Sequence, residues 1–326
     1  MSNEFLSDEL EGIENASNAP RRSICAGDSR CGFFPDMGND EYFADPIEEG
    51  SLSQSGIKIL LKETPLEFAF QHPRINLNAA PDIVSDSVAM RRGDVVHQLA
   101  LGKGKGYAVG DFPAWQSKEA KSFRDNAIAD GLTPIKRKDF EDAEVMAEVL
   151  VEQIERACDG ADYQTEVAVI WREPVGSGFI YLKGRFDVWC PEKLLILDPK
   201  ITERLSNGGA GENLVQRHAI NMGWDRQAAL YIRAVEVLMP ETEGRVRFEN
   251  LMVKPSEPFV ARRVRYDRTW LRSSIFECKD AFYRFAECQN SGIWPSYPDE
   301  AEVLLMPAWE EKRRIERELA GDEASI

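Results

Sequence analysis

The sequence predicts an α/β (α+β) fold, a central mixed β-sheet flanked by helices. Three observations predict it. Residues 178–200 form two apolar stretches joined by Pro191-Glu192-Lys193, the pattern of a strand pair with a tight turn. Residues 139–157 repeat apolar side chains at helical spacing, with Val145, Met146, Val149, Leu150 and Ile154 expected to face inward. Alternating stretches return at 245–253 and 259–266, after a further helical segment at 213–237. Strand and helix periods interleave, as they do when helices cover a sheet.

The chain has 326 residues, which suits one large domain or two modest ones. No apolar run approaches the roughly 18 residues of a membrane helix, so no membrane partner is expected. Met1-Ser2-Asn3-Glu4-Phe5 has neither the basic nor the apolar region of a secretory signal, and a cytoplasmic location is expected. The cysteines are Cys25, Cys31, Cys158, Cys190, Cys278 and Cys288. None forms a C-x-x-C pair, which argues against a zinc ribbon or an iron–sulfur quartet and for free thiols in a reducing compartment. The net charge of −16 disfavours nucleic acid as a partner when taken alone. The charge is uneven, however. Residues 1–50 and the tail after Pro298 are acidic, whereas Arg91-Arg92, Lys103 with Lys105, Lys136-Arg137-Lys138 and Arg262-Arg263-Val264-Arg265 are local basic clusters that can meet phosphates.

In chain order, residues 1–50 lack periodicity and read as a disordered or loosely attached segment. The core domain is expected over 51–300 and a charged helix and tail over 301–326. Ser53 reads as the cap of a short helix ending near Thr64-Pro65, and a second short helix follows to Gln71. Ser85 or Asp86 can cap a helix from Val88 to Leu101, stopped by Gly102, that carries His97. A helix is predicted over 117–130, then an extended piece at 132–135. Strands are predicted at 165–171 and through the 178–200 pair. Residues 206–211 read as a mobile loop. The helix at 213–237 has a break expected at Gly223, and Gln227 and Tyr231 share one of its faces. A long helix is expected over 269–290, carrying Trp270, Ile275, Phe276, Phe282, Tyr283 and Phe285. A charged peripheral helix is expected over 308–319.

The chemistry concentrates on the 178–200 pair. Asp198 and Lys200 are two apart on one strand and point to one face. With Pro191 second in a four-residue turn from Cys190 to Lys193, Asp187 pairs with Ile196 and Arg185 with Asp198. The two aspartates are then diagonal neighbours on one face, and a loop longer by two residues would keep them there. On the same alternation, Phe179, Tyr181, Arg185, Asp187 and Trp189 share one face, and Ile180, Leu182, Phe186 and Val188 the other. Two such carboxylates suit a hard divalent cation, and a lysine beside them can orient a water or answer the charge of a phosphoryl transition state. A single Asp-x-Lys more often forms structural ion pairs, and a lone histidine on a helix is more often structural. The specificity lies in the combination of strand aspartate, turn, Asp-x-Lys strand and Gln/Tyr helix.

The residues Arg91-Arg92-Gly93-Asp94-Val95-Val96-His97, Gly184-Arg185-Phe186-Asp187, Leu197-Asp198-Pro199-Lys200 and Trp224-Asp225-Arg226-Gln227-Ala228-Ala229-Leu230-Tyr231 occur in that order. They are preceded by Ser55-Gly56-Ile57-Lys58 and followed by Trp294-Pro295-Ser296-Tyr297. Over about residues 52–300 the chain resembles the PD-(D/E)xK nuclease superfamily, and within it the RecE (exonuclease VIII) type of phage and prophage exonuclease. The resemblance implies a restriction-endonuclease-like core. It implies Mg²⁺, with Mn²⁺ as a substitute, held by His97, Asp187, Asp198 and the Pro199 carbonyl. Lys200 would be the catalytic lysine, Gln227 and Tyr231 would position DNA or the site, and Glu166 would be an additional carboxylate. The implied activity is 5′-to-3′ digestion of linear double-stranded DNA from its ends, leaving 3′ single strands for a RecT-like annealing protein, by a homo-oligomeric ring. The acidic first fifty residues and the loop at 204–211 depart from the pattern and leave polarity and assembly open. A repair or CRISPR-adaptation-type endonuclease on single strands or flaps is the alternative, its CRISPR form weakened by the missing cysteine quartet. A non-catalytic DNA-binding protein on the same fold is the other, although no catalytic residue is missing.

Overall fold

The computed structural model describes residues 24–76, 88–206, 208 and 213–319. In chain order its elements begin with β1 (Gly32–Phe34), α1 (Asn39–Phe43), α2 (Gln54–Lys62), α3 (Pro65–Gln71) and α4 (Val88–Leu101). They continue with β2 (Tyr107–Gly110), α5 (Lys118–Ala129), β3 (Thr133–Lys136), α6 (Arg137–Cys158), β4 (Gln164–Val175), β5 (Gly178–Cys190) and β6 (Leu195–Ile201). The last are α7 (Leu214–Met222), α8 (Trp224–Leu238), β7 (Arg247–Val253), β8 (Ala261–Val264), α9 (Arg268–Ser291) and α10 (Ala308–Leu319).

Local chemistry sets many of these boundaries. The Ser53 hydroxyl accepts from the Gly56 N–H and opens α2. Thr64 and Glu67 form a reciprocal capping box around Pro65 and open α3. The Ser117 side chain accepts from the Ala120 N–H to open α5, and the Asp267 side chain from the Thr269 and Trp270 N–H groups to open α9. Gly223, at φ 75°, ends α7 and starts α8, the break expected at that position. The cap expected at Ser85 or Asp86, residues 1–23, and most of the 206–211 loop lie outside the described residues.

Among the described residues the main sheet has six strands in the order β1-β4-β5-β6-β7-β8. Only β6 and β7 run parallel; the other neighbours are antiparallel. The mixed sheet with helices on both faces is the predicted fold class. One face packs against α2, α3, α8 and α9 through residues such as Leu60, Phe68, Trp171, Phe186, Ala228 and Phe285. The other packs against α4 and α6 through Val96, Met146, Leu150, Ile154, Leu197 and Leu251. Each large apolar side chain removed from water here contributes about 1.5–3 kcal/mol, which fixes the sheet between its two layers. A second, two-stranded parallel sheet joins β2 and β3; β2 carries no alternation strong enough to predict it.

Several expectations are corrected. Residues 24–50 are not loosely attached: β1 pairs antiparallel with β4, and Phe33 stacks on Trp189 at 5.9 Å between ring centres. Ile47 is fully buried, and buried Asp45 accepts hydrogen bonds from the Ile47 and Ser51 N–H groups and the Ser51 hydroxyl. Polar composition hid this segment because few of its residues carry its packing. Val145 on α6, expected to face inward, is exposed, since the helix buries only one stripe.

The β5–β6 turn closes one residue later than predicted. The Leu194 N–H donates to the Pro191 carbonyl, so Pro191 begins the turn, and Leu194 takes the left-handed conformation. Cys190 therefore pairs with Leu195 and Val188 with Leu197, a shift of two from the expected register. The face assignment is also corrected. Phe186 and Trp189 both belong to the α8 side, whereas Val188 packs on the α4 and α6 side. The alternation reverses at Asp187.

Candidate active site

That reversal has a visible cause. β4 and β5 pair on either side of one gap, with Thr165 opposite Val188 and Val167 opposite Phe186. Glu166 and Asp187 occupy the gap, and Glu166 has φ 55°. A non-glycine residue there is uncommon and costs on the order of 1–3 kcal/mol, sustained by the regular ladder on both sides. The interruption releases both carboxylates from the alternation of their strands. The β5–β6 ladder ends beside it, at Val188 with Leu197. The next residues of these two strands are Asp187 and Asp198. From this point β5 continues with β4, while β6 continues with β7, placing Asp198 opposite Asn250 and Lys200 opposite Met252.

Asp198 is almost fully buried and is held from three directions. Lys200 Nζ lies 2.6 Å from Oδ2. Gln227 Nε2 of α8 donates to Oδ1 at 2.8 Å, and Asn250 Nδ2 of β7 donates to Oδ2 at 2.7 Å. The Tyr266 hydroxyl donates to Asn250 Oδ1 at 2.7 Å and fixes the orientation of that amide. Burial raises the Asp198 carboxyl to about 6, with Asp187 reinforcing the shift and Lys200 opposing it.

His97 reaches the site from α4. Its Nε2 lies 3.3 Å from Asp187 Oδ1, and its Nδ1 lies 3.4 Å from Glu166 Oε1. Burial disfavours charge on the ring, but the hydrogen bond and charge of Asp187, followed by Glu166 and Asp198, outweigh it and raise His97 to about 9. Burial opposes ionisation of Asp187 too, but His97 and Lys200 hold it below the ordinary carboxylate value. Glu166 is pushed up, by burial and then by Asp187. Arg185 Nη1 approaches Glu166 Oε2 at 3.5 Å, and its guanidinium lies over the Tyr42 ring of α1 at 4.2 Å.

The structure thus brings together Glu166, Asp187, Asp198, Lys200, Gln227 and His97. The two aspartates are close enough to act on each other's ionisation. Pro199 lies between Asp198 and Lys200 on β6, opposite Leu251. Tyr231 stands beneath the site rather than in it. Its ring packs against Gly184, and its hydroxyl accepts from the Arg185 N–H at 3.3 Å. Sequence reasoning missed Asn250, Tyr266, Arg185 as the partner of Glu166, and Tyr42. Asn250 had a signal, being the one amide within the apolar stretch Phe248 to Val253. Tyr42 had none, because only β1 and its connection bring α1 to β5.

The donor set fits a divalent cation. Ligand atoms from His97, Glu166 and Asp187 lie within 4.8 Å of one another, and Asp198 adds a further carboxylate beside them. Three carboxylates and one imidazole with no thiolate suit a hard cation. Burial and then the charge of Asp187 raise Asp198 and Glu166, and a bound cation would relieve both.

Residues 53–306 match the model of a family described as "PDDEXK-like domain of unknown function (DUF3799)". The fold is similar to a crystal structure from Eubacterium rectale described as "Putative exonuclease". The alignment has a TM-score of 0.55 and 15% identity and covers 83% of this chain and 95% of that one. A second solved chain, SSO0001, aligns over 76% of this chain and 100% of its own with 12% identity and a TM-score of 0.27. No curated protein matches.

Proposed function

The chain belongs to this PDDEXK-like family, and on that premise we propose that it is a Mg²⁺-dependent exodeoxyribonuclease acting on the ends of linear double-stranded DNA. The observation that carries the reading is the convergence of His97, Asp187, Asp198 and Lys200 where β5 and β6 part. His97, Asp187, Asp198 and the Pro199 carbonyl would hold Mg²⁺, or Mn²⁺ in its place, with Glu166 as a further carboxylate. When bound, such a cation lowers the pKa of a water and stabilises charge on a phosphoryl oxygen.

The chain's own residues do the rest. Lys200, drawn to Asp198, sets a positive charge beside the carboxylates, where it can orient the attacking water and answer charge that develops on the phosphate. Gln227 and Asn250 hold both oxygens of Asp198, so the carboxylate does not reorganise during the reaction. Tyr231 holds the β5 backbone two residues before Asp187. The resemblance to RecE-type exonucleases adds the finer expectations: 5′-to-3′ polarity, 3′ single strands passed to a RecT-like annealing partner in recombination, a ring assembly, and a phage or prophage origin with action in the bacterial cytoplasm. No described helix is long and apolar enough to cross a membrane.

The test is digestion of linear duplex labelled at the 5′ or the 3′ end, with closed circular duplex alongside. The expected result is early release of the 5′ label with Mg²⁺, an intact circle, and no product in EDTA. Cutting of the circle or of flaps would favour the endonuclease reading. No turnover at any Mg²⁺ or Mn²⁺ concentration, with DNA still bound, would leave a binding protein. Digestion that persists in EDTA would overturn the metal-dependent reading.

A further inference from the structure

We propose that Cys25 and Cys31 are a peroxide-reactive dithiol, with Cys25 the attacking sulfur and Cys31 the resolving one, that closes a reversible disulfide across the loop leading into β1. The two cysteines line one cavity, close enough for each to act on the other's ionisation. The loop between them is two consecutive turns: the Asp28 N–H donates to the Cys25 carbonyl at 3.2 Å, and the Cys31 N–H donates to the Asp28 carbonyl at 3.0 Å. The loop is fastened to the sheet. The Arg172 N–H on β4 donates to Cys25 Sγ at 3.4 Å, and Asp28 accepts from the Arg172 guanidinium and the Tyr181 hydroxyl. Both cysteines are half-buried, and they line a cavity of about 460 Å³ with Phe33 and residues 237–240. A small oxidant therefore has room to reach them.

The chain contains its own contrast. Cys158, the last residue of α6, and Cys190 on β5 also act on each other, but both are buried. Burial and the neighbouring Cys190 push the Cys158 thiol up to about 12, which leaves it inert. At Cys25 the balance reverses: the neighbouring Cys31 thiol and the Arg172 N–H and charge outweigh burial and bring the thiol down to about 7. The thiolate, not the thiol, is the nucleophile, so Cys25 is the sulfur poised to attack, while Cys31, pushed up by Cys25 and by burial, is the one that resolves.

The chemistry balances with a hydroperoxide as oxidant. The Cys25 thiolate attacks one oxygen of hydrogen peroxide, the O–O bond breaks, Cys25 becomes a sulfenic acid, and hydroxide leaves and takes up the proton the Cys25 thiol released. The Cys31 sulfur then attacks Cys25 sulfur, the S–O bond breaks, and water leaves with the Cys31 proton. Two thiols lose two hydrogens, and the peroxide becomes two waters.

The test uses the full chain and hydrogen peroxide. Trypsin cuts after Arg30, between the two cysteines, so the disulfide joins two peptides that are otherwise separate. The expected result is a Cys25–Cys31 linked pair in a non-reducing peptide map, reversed by dithiothreitol, while Cys158 and Cys190 stay reduced. In the folded protein at pH 7, iodoacetamide should modify Cys25 on the order of tenfold or more faster than Cys158. Cys31→Ser should instead accumulate a sulfenic acid at Cys25 that dimedone traps, and Cys25→Ser should form none at Cys31. The proposal fails if peroxide that oxidises exposed methionines leaves Cys25 and Cys31 reduced. It fails equally if Cys158–Cys190 oxidises as readily, or if Cys31→Ser yields no dimedone adduct while its circular dichroism matches the wild type. None of these readouts depends on nuclease activity.

Discussion

Asp198 carries one charge, and four groups act on it: Lys200, Gln227 and Asn250 favour that charge, and Asp187 opposes it. Removing them separates chemistry from positioning. Lys200→Ala deletes the cation beside Asp198 and, on the proposed reaction, should lower kcat on DNA by about 10²-fold or more. Gln227→Ala and Asn250→Ala leave the charge in place but loosen the carboxylate, and each should weaken the Mg²⁺ requirement curve by roughly 10–100-fold. Titrating metal in the nuclease assay distinguishes the two classes. Equal loss in kcat at saturating metal from all three substitutions would refute this division. Away from the site, buried Asp45 governs an acid response. Burial opposes its ionisation, but His72, Lys183 and Ser51 hold its carboxyl below the ordinary value. Its folded pKa is depressed, so its contribution is complete above the unfolded value of about 4 and is lost as pH falls through the lower folded value. Urea midpoints of the wild type should therefore fall below about pH 4 more steeply than those of Asp45→Asn. Parallel slopes would show that other carboxylates set the acid limit.

At the scale of elements, β5 is shaped by what it touches on each side. A Cβ on Gly184 would lie 2.6 Å from Tyr231 Cε1, a separation that requires one element to move. Gly184→Ala should cost about 1–3 kcal/mol in denaturant unfolding, as overpacking does, and should displace the Tyr231 hydroxyl from the Arg185 N–H. Gly184→Ala in a Tyr231→Ala background should recover most of that loss, since the obstructing ring is gone. Additive losses would place the cost elsewhere. The element scale is also where the prediction of register succeeded and failed together. Asp187 and Asp198 converge, as expected from a strand pair with an even offset, because a shift of two preserves parity. The reversal at Asp187 was not legible, because it depends on Glu166 breaking the ladder from the neighbouring strand.

At the scale of the molecule, α4, the consecutive strands β4, β5 and β6, α8 and β7 supply one site. Their carboxylates repel until a cation joins them, so Mg²⁺ or Mn²⁺ should stabilise the folded chain. At a hundredfold excess over Kd the gain is about 2.7 kcal/mol. Thermal melts should shift upward with metal in the wild type and not in an Asp187→Asn, Asp198→Asn double variant. An equal shift in both would place the metal elsewhere. The same convergence explains why residues 24–50 matter. β1 and α1 close the sheet beside the site, and Tyr42 lies under the guanidinium that answers Glu166.

The sequence by itself determined the fold class, most helix boundaries and the candidate residues on β5, β6 and α8. These are matters of local spacing: capping side chains, a glycine at a helix break, and two carboxylates and a lysine at fixed offsets on adjoining strands. His97 was legible as a position on a helix, but its distance to Asp187 was not. The tertiary structure alone decided that Glu166 and Asp187 leave their ladder, that Asn250 and Tyr266 orient Asp198, and that α1 stands beside the site. It also decided that Cys25 meets Cys31 beside Arg172. Each of these depends on pairing between strands or on contacts between layers, where burial and neighbouring charges set both geometry and ionisation, and neither is encoded in the order of residues along one element.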